Sequence, residues 1–364
     1  MRKFLVKILT KPVLKLSERY NSRPNRSRIF KALSDLYNEI EKGNEKKGSI
    51  IEFGPSDKFI IFSDQHKGAR NYADDFILSE QNYLEALKWY NEEGFFFISL
   101  GDSEELWENT LAEVKKHNTK TFEAESTFLK RGSYYKVFGN HDLYWDNDPL
   151  AGINLESIYG EKVKIYEGAV LRTIIDGKQL DLLLTHGHQG DMQSDGNWFS
   201  KWFVSTIWAP LQSFLRINPN TPAYDNALKS IHNQMMYEWS TEQEKLMLIT
   251  GHTHQPVFRS LTYLERLYHS LEQAKLNNDE KSIKELQHSL EDRIRKGEAA
   301  PIFKAFKPGY FNSGCCCFLD GDITGIEIDN GSIRLIKWEY NAQSDLPERI
   351  ILEETSLKLM LEEL

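Results

Sequence analysis

Five short apolar runs in this chain each end in a cluster of polar residues. Phe59-Ile60-Ile61-Phe62 leads into Ser63, Asp64, Gln65 and His66. Phe95 to Leu100 leads into Gly101 and Asp102. Tyr134 to Phe138 leads into Gly139, Asn140, His141 and Asp142. Leu182-Leu183-Leu184 leads into Thr185, His186, Gly187 and His188, and Leu246 to Ile249 leads into Thr250, Gly251, His252, Thr253 and His254. Apolar runs of this length, bounded by glycine, predict buried strands. In open α/β sheets, ligands bind outside the carboxyl ends of the strands. Carboxylate, amide and imidazole groups from five separate segments are therefore expected to meet there.

Composition narrows the class. A chain of 364 residues can bury a large core in one big domain or two. Hydrophobic content of 40% and charged content of 27% are those of an ordinary soluble protein. A net charge of −9, from 45 basic and 54 acidic residues, argues against a general nucleic-acid binder. The three cysteines, Cys315, Cys316 and Cys317, are consecutive, which makes a poor disulfide framework. They read as small buried side chains in a reducing cytosol. No stretch approaches the apolar length of a spanning helix. A cytoplasmic protein is expected, or one peripheral at the inner face of the membrane.

Residues 1–48 read as a helical extension and 49–364 as the main domain. In the first stretch Lys3, Lys7, Lys11, Lys15 and Arg19 recur every four residues among Phe4, Leu5, Ile8, Leu9, Val13, Leu14 and Leu16. Such a segment (residues 1–20) suits an anionic membrane surface, or docks on the domain with its lysines in water. Pro12 would interrupt either helix. A second amphipathic helix carries Ile29, Leu33, Leu36, Tyr37 and Ile40 on one face, and residues 43–48 read as a linker. Residues 76–90, with Leu78, Leu84 and Leu87 inward, and residues 111–130 predict helices between the first three runs. That alternation predicts parallel strands. Asp176-Gly177 and Asn330-Gly331 predict hairpins and a second, more antiparallel sheet.

Two helical insertions interrupt the C-terminal half, at about 197–240 and 260–296. The first is rich in tryptophan: Trp198, Phe199, Trp202, Phe203, Ile207, Trp208, Leu211, Phe214 and Leu215 crowd residues 197–216. It reads as a buried helix or a homodimer interface, and alternatively as an apolar lid or membrane-facing patch. The second reads as an antiparallel helical hairpin, with Leu261, Leu264, Tyr268, Leu271, Ile283, Leu286, Leu290 and Ile294 inward and Asn277-Asn278-Asp279 at the turn.

Six of the ten histidines fall in the strand-end motifs. Residues two apart on a strand share a face, so Asp64 with His66 and His252 with His254 read as pairs. Glycines 101, 139, 187 and 251 let the backbone turn beside them. This concentration reads as a metal site, not as a satisfied polar core.

Asp64-Gln65-His66, Gly101-Asp102-Ser103-Glu104-Glu105, Gly139-Asn140-His141-Asp142, His186 and Gly251-His252-Thr253-His254 resemble the ordered motifs of the calcineurin-like metallophosphoesterases. The resemblance spans roughly residues 59–318. It implies a four-layer αββα sandwich of two mixed β-sheets holding two divalent metal ions at one sheet edge. By that resemblance Asp64, His66, Asp102 and His254 would hold the first ion, Asp102 would bridge, and Asn140, His186 and His252 would hold the second. His141 would contact the substrate phosphate or protonate the leaving group. Asp142 would orient His141, or simply cap a turn. His186 is preferred over His188 as a ligand, because it comes directly off the strand. Arg70 is a candidate phosphate contact or a surface arginine.

Two cations about 3.5–4 Å apart neutralise phosphoryl oxygens and bring the pKa of water to roughly 7. Oxygen and imidazole donors without thiolate fit Mn first, with Fe or Zn next. Within the family the chain also resembles the UDP-2,3-diacylglucosamine diphosphatases at Gly101-Asp102, Glu105, Trp107, His186-Gly187 and Gly251 to Pro256. It departs from several of them in having His141 where they have arginine, and in its extra residues 1–48 and 260–296. The expected function is hydrolysis of a phosphoester or pyrophosphate bond in a phosphorylated small-molecule or lipid-linked substrate. The alternatives are a membrane-associated hydrolase of a lipid-linked substrate, like those diphosphatases, and a catalytically silent scaffold of the same fold.

Overall fold

Among the residues that the computed structural model describes (25–71, 74–190, 226–277, 279–295 and 307–364), each apolar run forms a strand. The segments 1–20 and 197–216, with the roles expected of them, lie outside the described residues, as does Asn278. In chain order the strands are β1 (Ile50–Glu52), β2 (Phe59–Phe62), β3 (Phe96–Leu100), β4 (Tyr134–Val137), β5 (Ile165–Tyr166), β6 (Gly168–Ile175) and β7 (Lys178–Thr185). After them come β8 (Leu246–Thr250), β9 (Val257–Phe258), β10 (Leu261–Thr262), β11 (Tyr310–Asn312), β12 (Ile323–Asp329), β13 (Ser332–Asn341) and β14 (Leu346–Ser356).

They make two seven-stranded mixed sheets, ordered β1-β6-β7-β8-β11-β9-β10 and β14-β13-β12-β2-β3-β4-β5. In the second sheet β2, β3, β4 and β5 run parallel, and β12, β13 and β14 add on antiparallel. In the first, β7, β8 and β11 run parallel. Asp176 and Gly177 have φ of 51° and 76°, and Asn330 and Gly331 have 49° and 70°. Two left-handed residues in a row match the twist of a two-residue hairpin, so both expected turns form.

The sheets pack face to face. Phe59, Ile61, Ile98, Leu100 and Val137 meet Ala169, Leu171, Leu182, Leu184, Met247 and Ile249. The outer face of the second sheet packs Phe62 and Phe97 on Tyr83, Leu87, Tyr90 and Phe128, carried by helices Glu80–Glu92 and Thr119–Lys130. The outer face of the first packs Val170, Leu183 and Leu248 on Ile29, Leu33, Leu36, Ile40, Met236 and Trp239. Those come from helices Arg26–Glu41 and Asn226–Thr241. The result is the expected αββα sandwich, and residues before 49 supply part of one outer layer. Asn25 caps that first helix through Arg28 N. Tyr37 turns to hydrogen-bond Asp181 at 2.7 Å.

Several local expectations need correcting. The expected helix at 76–90 begins as a single 3₁₀ turn, Asp75–Leu78, and Leu78 is exposed instead of inward. The expected helix at 111–130 is two helices, Leu111–His117 and Thr119–Lys130, broken at Asn118. Asn118 donates its amide to Gly68 O at 2.7 Å and Val114 O at 2.9 Å, so the break ties the helix pair to the loop after His66. The insertion forms helices Tyr263–Leu276 and Glu280–Arg295 around Leu264, Leu267, Leu271 and Leu290. Leu261 lies in β10, and Ile294 is exposed. No described helix is long and apolar enough to cross a membrane.

Candidate metal centre

The motif loops leave their strands in a shared, unusual backbone conformation. Asp64, His66, Asp102, His252 and His254 all have left-handed φ, between 49° and 68°. Each such residue costs about 1–3 kcal/mol unless its surroundings hold it. The holding is visible. Asp64 N donates to Gly101 O and His66 N to Asp102 O, both at 3.0 Å, while Gly251 N donates to His186 O at 2.9 Å. Gly101 has φ of 88°, and a Cβ there would fall 2.6 Å from the His186 ring. Gly139 has no left-handed φ. It must be glycine because a Cβ would enter the Asp102 carboxylate.

Strand alternation therefore does not aim these side chains. Asp64 and His66 do reach one cluster, but His252 and His254 diverge into two. Asp64, His66 and Asp102 place ligand atoms within 4.8 Å of one another. His254 Nε2 joins them, 3.2 Å from Asp64 Oδ1 and 3.1 Å from His66 Nε2. Asp102, His186 and His252 make a second group on the same criterion. His186 Nε2 is 3.0 Å from Asp102 Oδ2 and 3.2 Å from Asn140 Oδ1. Asp102 belongs to both groups.

These donors fit divalent cations. Burial disfavours charge on His66, yet Glu105, Asp102 and Asp64 outweigh it and push the imidazole up to about 10. Burial likewise opposes charge on His186 and His254; Asp102 and Asp64 raise the first to about 9, and Cys315 and Asp64 raise the second to about 9. The geometry thus favours positive charge where these atoms converge. His252 behaves oppositely. Burial, then His232 and His186, hold it well below the usual range. Its Nε2 is buried without a hydrogen-bond partner, and one of its ring nitrogens stands in the second group.

His141 sits at the more open side of the cluster, with its side chain 14% exposed. Its Nδ1 faces Glu105 Oε2 at 2.7 Å, and His66 Nδ1 faces the same oxygen at 2.9 Å. Burial raises the pKa of Glu105, but His141 and His66 prevail and bring it to about 2. Glu105 is therefore a carboxylate, which only accepts hydrogen bonds. Both imidazoles donate to it through Nδ1 and keep Nε2 for other work. Trp107 stacks on the His141 ring at 4.1 Å and 19°. Asp142 does not perform the orienting task. Its carboxylate accepts from Ser103 N at 2.9 Å and from Gly139 N, bracing two motif loops.

His186 joins the second group, whereas His188 is buried beside it, with ring centres 5.4 Å apart. Arg70 does not face the cluster. Its guanidinium bonds Glu80 and His117 O. Four neighbours carry no role in the sequence reading: Glu105 and Trp107, which it quotes only as motif residues, Cys317, which it reads as a small buried side chain, and His232. His232 comes from a distant helix and packs on His252 at 5.2 Å. Cys317 Sγ lies 3.7 Å from His254 Nδ1.

A buried charge network forms the floor. Lys67 Nζ binds Glu125 Oε1 at 2.6 Å and Glu104 Oε1 at 3.2 Å, and Lys136 Nζ binds Glu104 Oε1 at 3.0 Å. Trp145 Nε1 donates to Glu104 Oε2 at 2.7 Å, and Tyr159 OH to Glu125 Oε2 at 2.7 Å. All four charged side chains are fully buried. Lys67 adjoins His66, Glu104 adjoins Glu105, and Trp145 follows His141, so the network clamps three motif loops from beneath. Burial disfavours the Glu104 carboxylate, but Lys136 and Lys67 overcome it and set it at about 2. Glu104→Gln leaves two buried lysines undercompensated and is expected to cost about 3–5 kcal/mol in urea unfolding at neutral pH. Because the folded-state pKa is depressed below 4.5, that stabilisation is complete above the unfolded value and fades as pH falls toward 2. The gap between variant and wild type should close over the same window.

The sequence model of calcineurin-like phosphoesterases matches residues 57–256. No curated protein matches the chain. Solved structures similar to it include a Vps29 mutant from Entamoeba histolytica, at 13% identity and TM-score 0.30, covering 81% of this chain and 99% of that one. Vacuolar protein sorting 29 from Cryptosporidium parvum follows at 12% and 0.31, covering 82% and 98%. A dimetal phosphatase from Danio rerio stands at 8% and 0.34, covering 82% and 100%. The matched segment is more than half of the chain and contains all five motif loops entire, so the chain belongs to the calcineurin-like phosphoesterase family.

Proposed function

We propose that this chain is a dinuclear metal-dependent phosphohydrolase that cleaves a phosphoester or pyrophosphate bond. The observation that carries the reading is the sharing of Asp102 between two donor groups, one with Asp64, His66 and His254 and one with Asn140, His186 and His252. When bound, two divalent cations such as Mn, Fe or Zn supply charge neutralisation for phosphoryl oxygens and acidify water. The chain's own residues do the rest. Glu105 accepts hydrogen bonds from Nδ1 of His66 and His141 and fixes both rings. Trp107 sets the plane of His141, whose Nε2 is then the atom that gives a proton to the departing oxygen.

A lipid-linked substrate is the second reading. Gly190 packs against Arg28 and Ile29: a Cβ there would lie 2.6 Å from Ile29 N. The described residues nearest the basic segment 1–20 and the tryptophan-rich segment 197–216, on the Arg26–Glu41 helix and at Gly190, therefore lie close together, next to the His186 loop. The test is one screen with added Mn²⁺. Aryl phosphomonoesters, aryl phosphodiesters, nucleoside diphosphate conjugates and a lipid-linked pyrophosphate in anionic vesicles are compared. Metal-dependent turnover of any class supports the hydrolase. Preference for the vesicle substrate over its short-chain analogue supports the second reading. Absence of both bound metal and turnover would leave a silent scaffold.

A further inference from the structure

Three large apolar side chains stand exposed close together, outside the donor cluster. Ile77 and Leu78 belong to the 3₁₀ turn Asp75–Leu78 and are 41% and 60% exposed. Leu319 is 88% exposed and lies two residues past Cys317. The two stretches touch. A Cβ at Gly321 would fall 2.8 Å from Leu78 O, and Asn82 Nδ2 donates to Gly321 O at 2.8 Å. Gly68, two residues past His66, packs on Asp74 at the head of the turn, and Cys317 Sγ is 3.7 Å from His254 Nδ1. The patch therefore borders the cation position of His66 and His254. Scattered apolar residues on a surface are ordinary, whereas neighbouring ones mark a contact.

The surroundings of this patch are acidic. Asp75 lies in the turn itself, and Asp320 and Asp322 flank Gly321. Lys337 Nζ pairs with Asp322 at 3.2 Å. Asp320 is exposed, accepts from Asp322 N at 3.2 Å and has no ion-pair partner among the described residues. An anionic bilayer would be repelled by these charges, whereas a basic and apolar segment complements them. Residues 1–20 have that chemistry, with six basic residues against Glu18, set among Phe4, Leu5, Ile8 and Leu9. They precede the helix Arg26–Glu41, whose Arg28 and Ile29 meet Gly190. Twenty residues reach about 30 Å as a helix and about 65 Å extended. A domain of this length has a radius of gyration of about 21 Å, so the patch is within reach.

We propose that, in the lipid-free chain, residues 1–20 dock on the patch of Ile77, Leu78 and Leu319, their apolar side chains covering it and their lysines pairing with Asp75 and Asp320. Seated there, the segment borders the metal cleft on the side of His66 and His254. The lysines are then spent on the protein's own carboxylates and not on lipid phosphate.

Zero-length carbodiimide cross-linking tests this on the full-length chain, because it joins a lysine only to a carboxylate in contact with it. Isotope-labelled and unlabelled chains are mixed, so that links within one chain are told from links between two. The expected result is a set of links within one chain from Lys3, Lys7, Lys11 or Lys15 to Asp75 or Asp320. Leu78→Ser combined with Leu319→Ser changes two exposed side chains and should lower those links about tenfold or more. The link between Lys337 and Asp322 serves as the folded control and should persist. Links confined to other carboxylates, or found only between chains, would overturn the proposal. So would links that survive the double substitution. Absence of links to the patch, with the chain sedimenting on phosphatidylglycerol vesicles, would give the segment to the membrane and overturn it as well. The wild-type map decides the matter even if the variant fails to fold. Neither metal nor substrate enters the experiment, so its outcome leaves the dinuclear reading untouched.

Discussion

Asp102→Asn is expected to abolish turnover and to strip the protein of bound metal. Among the described residues, Asp102 is the one carboxylate common to both donor groups. Its Oδ2 lies 3.0 Å from His186 Nε2, and its Oδ1 accepts from His141 N at 2.7 Å. Both oxygens are thus committed, and despite burial His186 and His141 hold the carboxyl well below its usual range. An asparagine keeps the volume but offers one oxygen and one donor. The donor would face either His186 or the His141 amide, and the negative charge between the two positions would vanish. A loss of about 5 kcal/mol in transition-state stabilisation, roughly 10⁴-fold in rate, is the scale for removing a shared metal ligand. Elemental analysis and single-turnover rates on the same preparation check it. Retained metal at wild-type stoichiometry would show that Asp102 does not join the two positions.

His141→Ala should behave differently. The side chain reaches Glu105 and Trp107, and His141 stands in neither of the two groups joined by Asp102. Metal content is expected to stay near wild type while kcat falls about 10²–10⁴-fold, the usual worth of a positioned proton donor. The signature lies in the leaving group. An alkoxide leaving group needs the proton and should show the full loss, whereas a nitrophenolate leaves without help and should show far less. Equal losses for both would assign His141 to substrate binding. Unchanged rates would remove it from the chemistry.

How much of this could be read from the chain depends on how local each signal is. The two sheets follow from runs such as Phe59–Phe62 and Leu182–Leu184, whose burial on both faces leaves an unbroken apolar string. The gathering of Asp64, Asp102, Asn140, His186 and His252 follows from their place just past strand ends. β14 was invisible, since Glu348, Arg349, Glu353 and Glu354 give it the look of a solvated segment, as suits the edge strand of its sheet. The short C-terminal helix Leu357–Glu363 was missed with it, although Leu357 and Met360 plug the gap between the sheets. The divergence of His252 from His254 depends on left-handed backbone that no pattern of side chains announces. Glu105 displaced Asp142 as the partner of His141 for the same reason: loop geometry, not sequence distance, decides which carboxylate an imidazole meets.

The floor beneath the loops carries a consequence for how such a chain can change over generations. Lys67 and Lys136 lean on a single oxygen of Glu104, and Lys67 also leans on Glu125. No member of the four can be exchanged alone without stranding a charge away from water. Drift at these positions must therefore move in blocks, two charges or all four at once. The loops above can exchange their own residues more freely, so long as the quartet below is inherited whole.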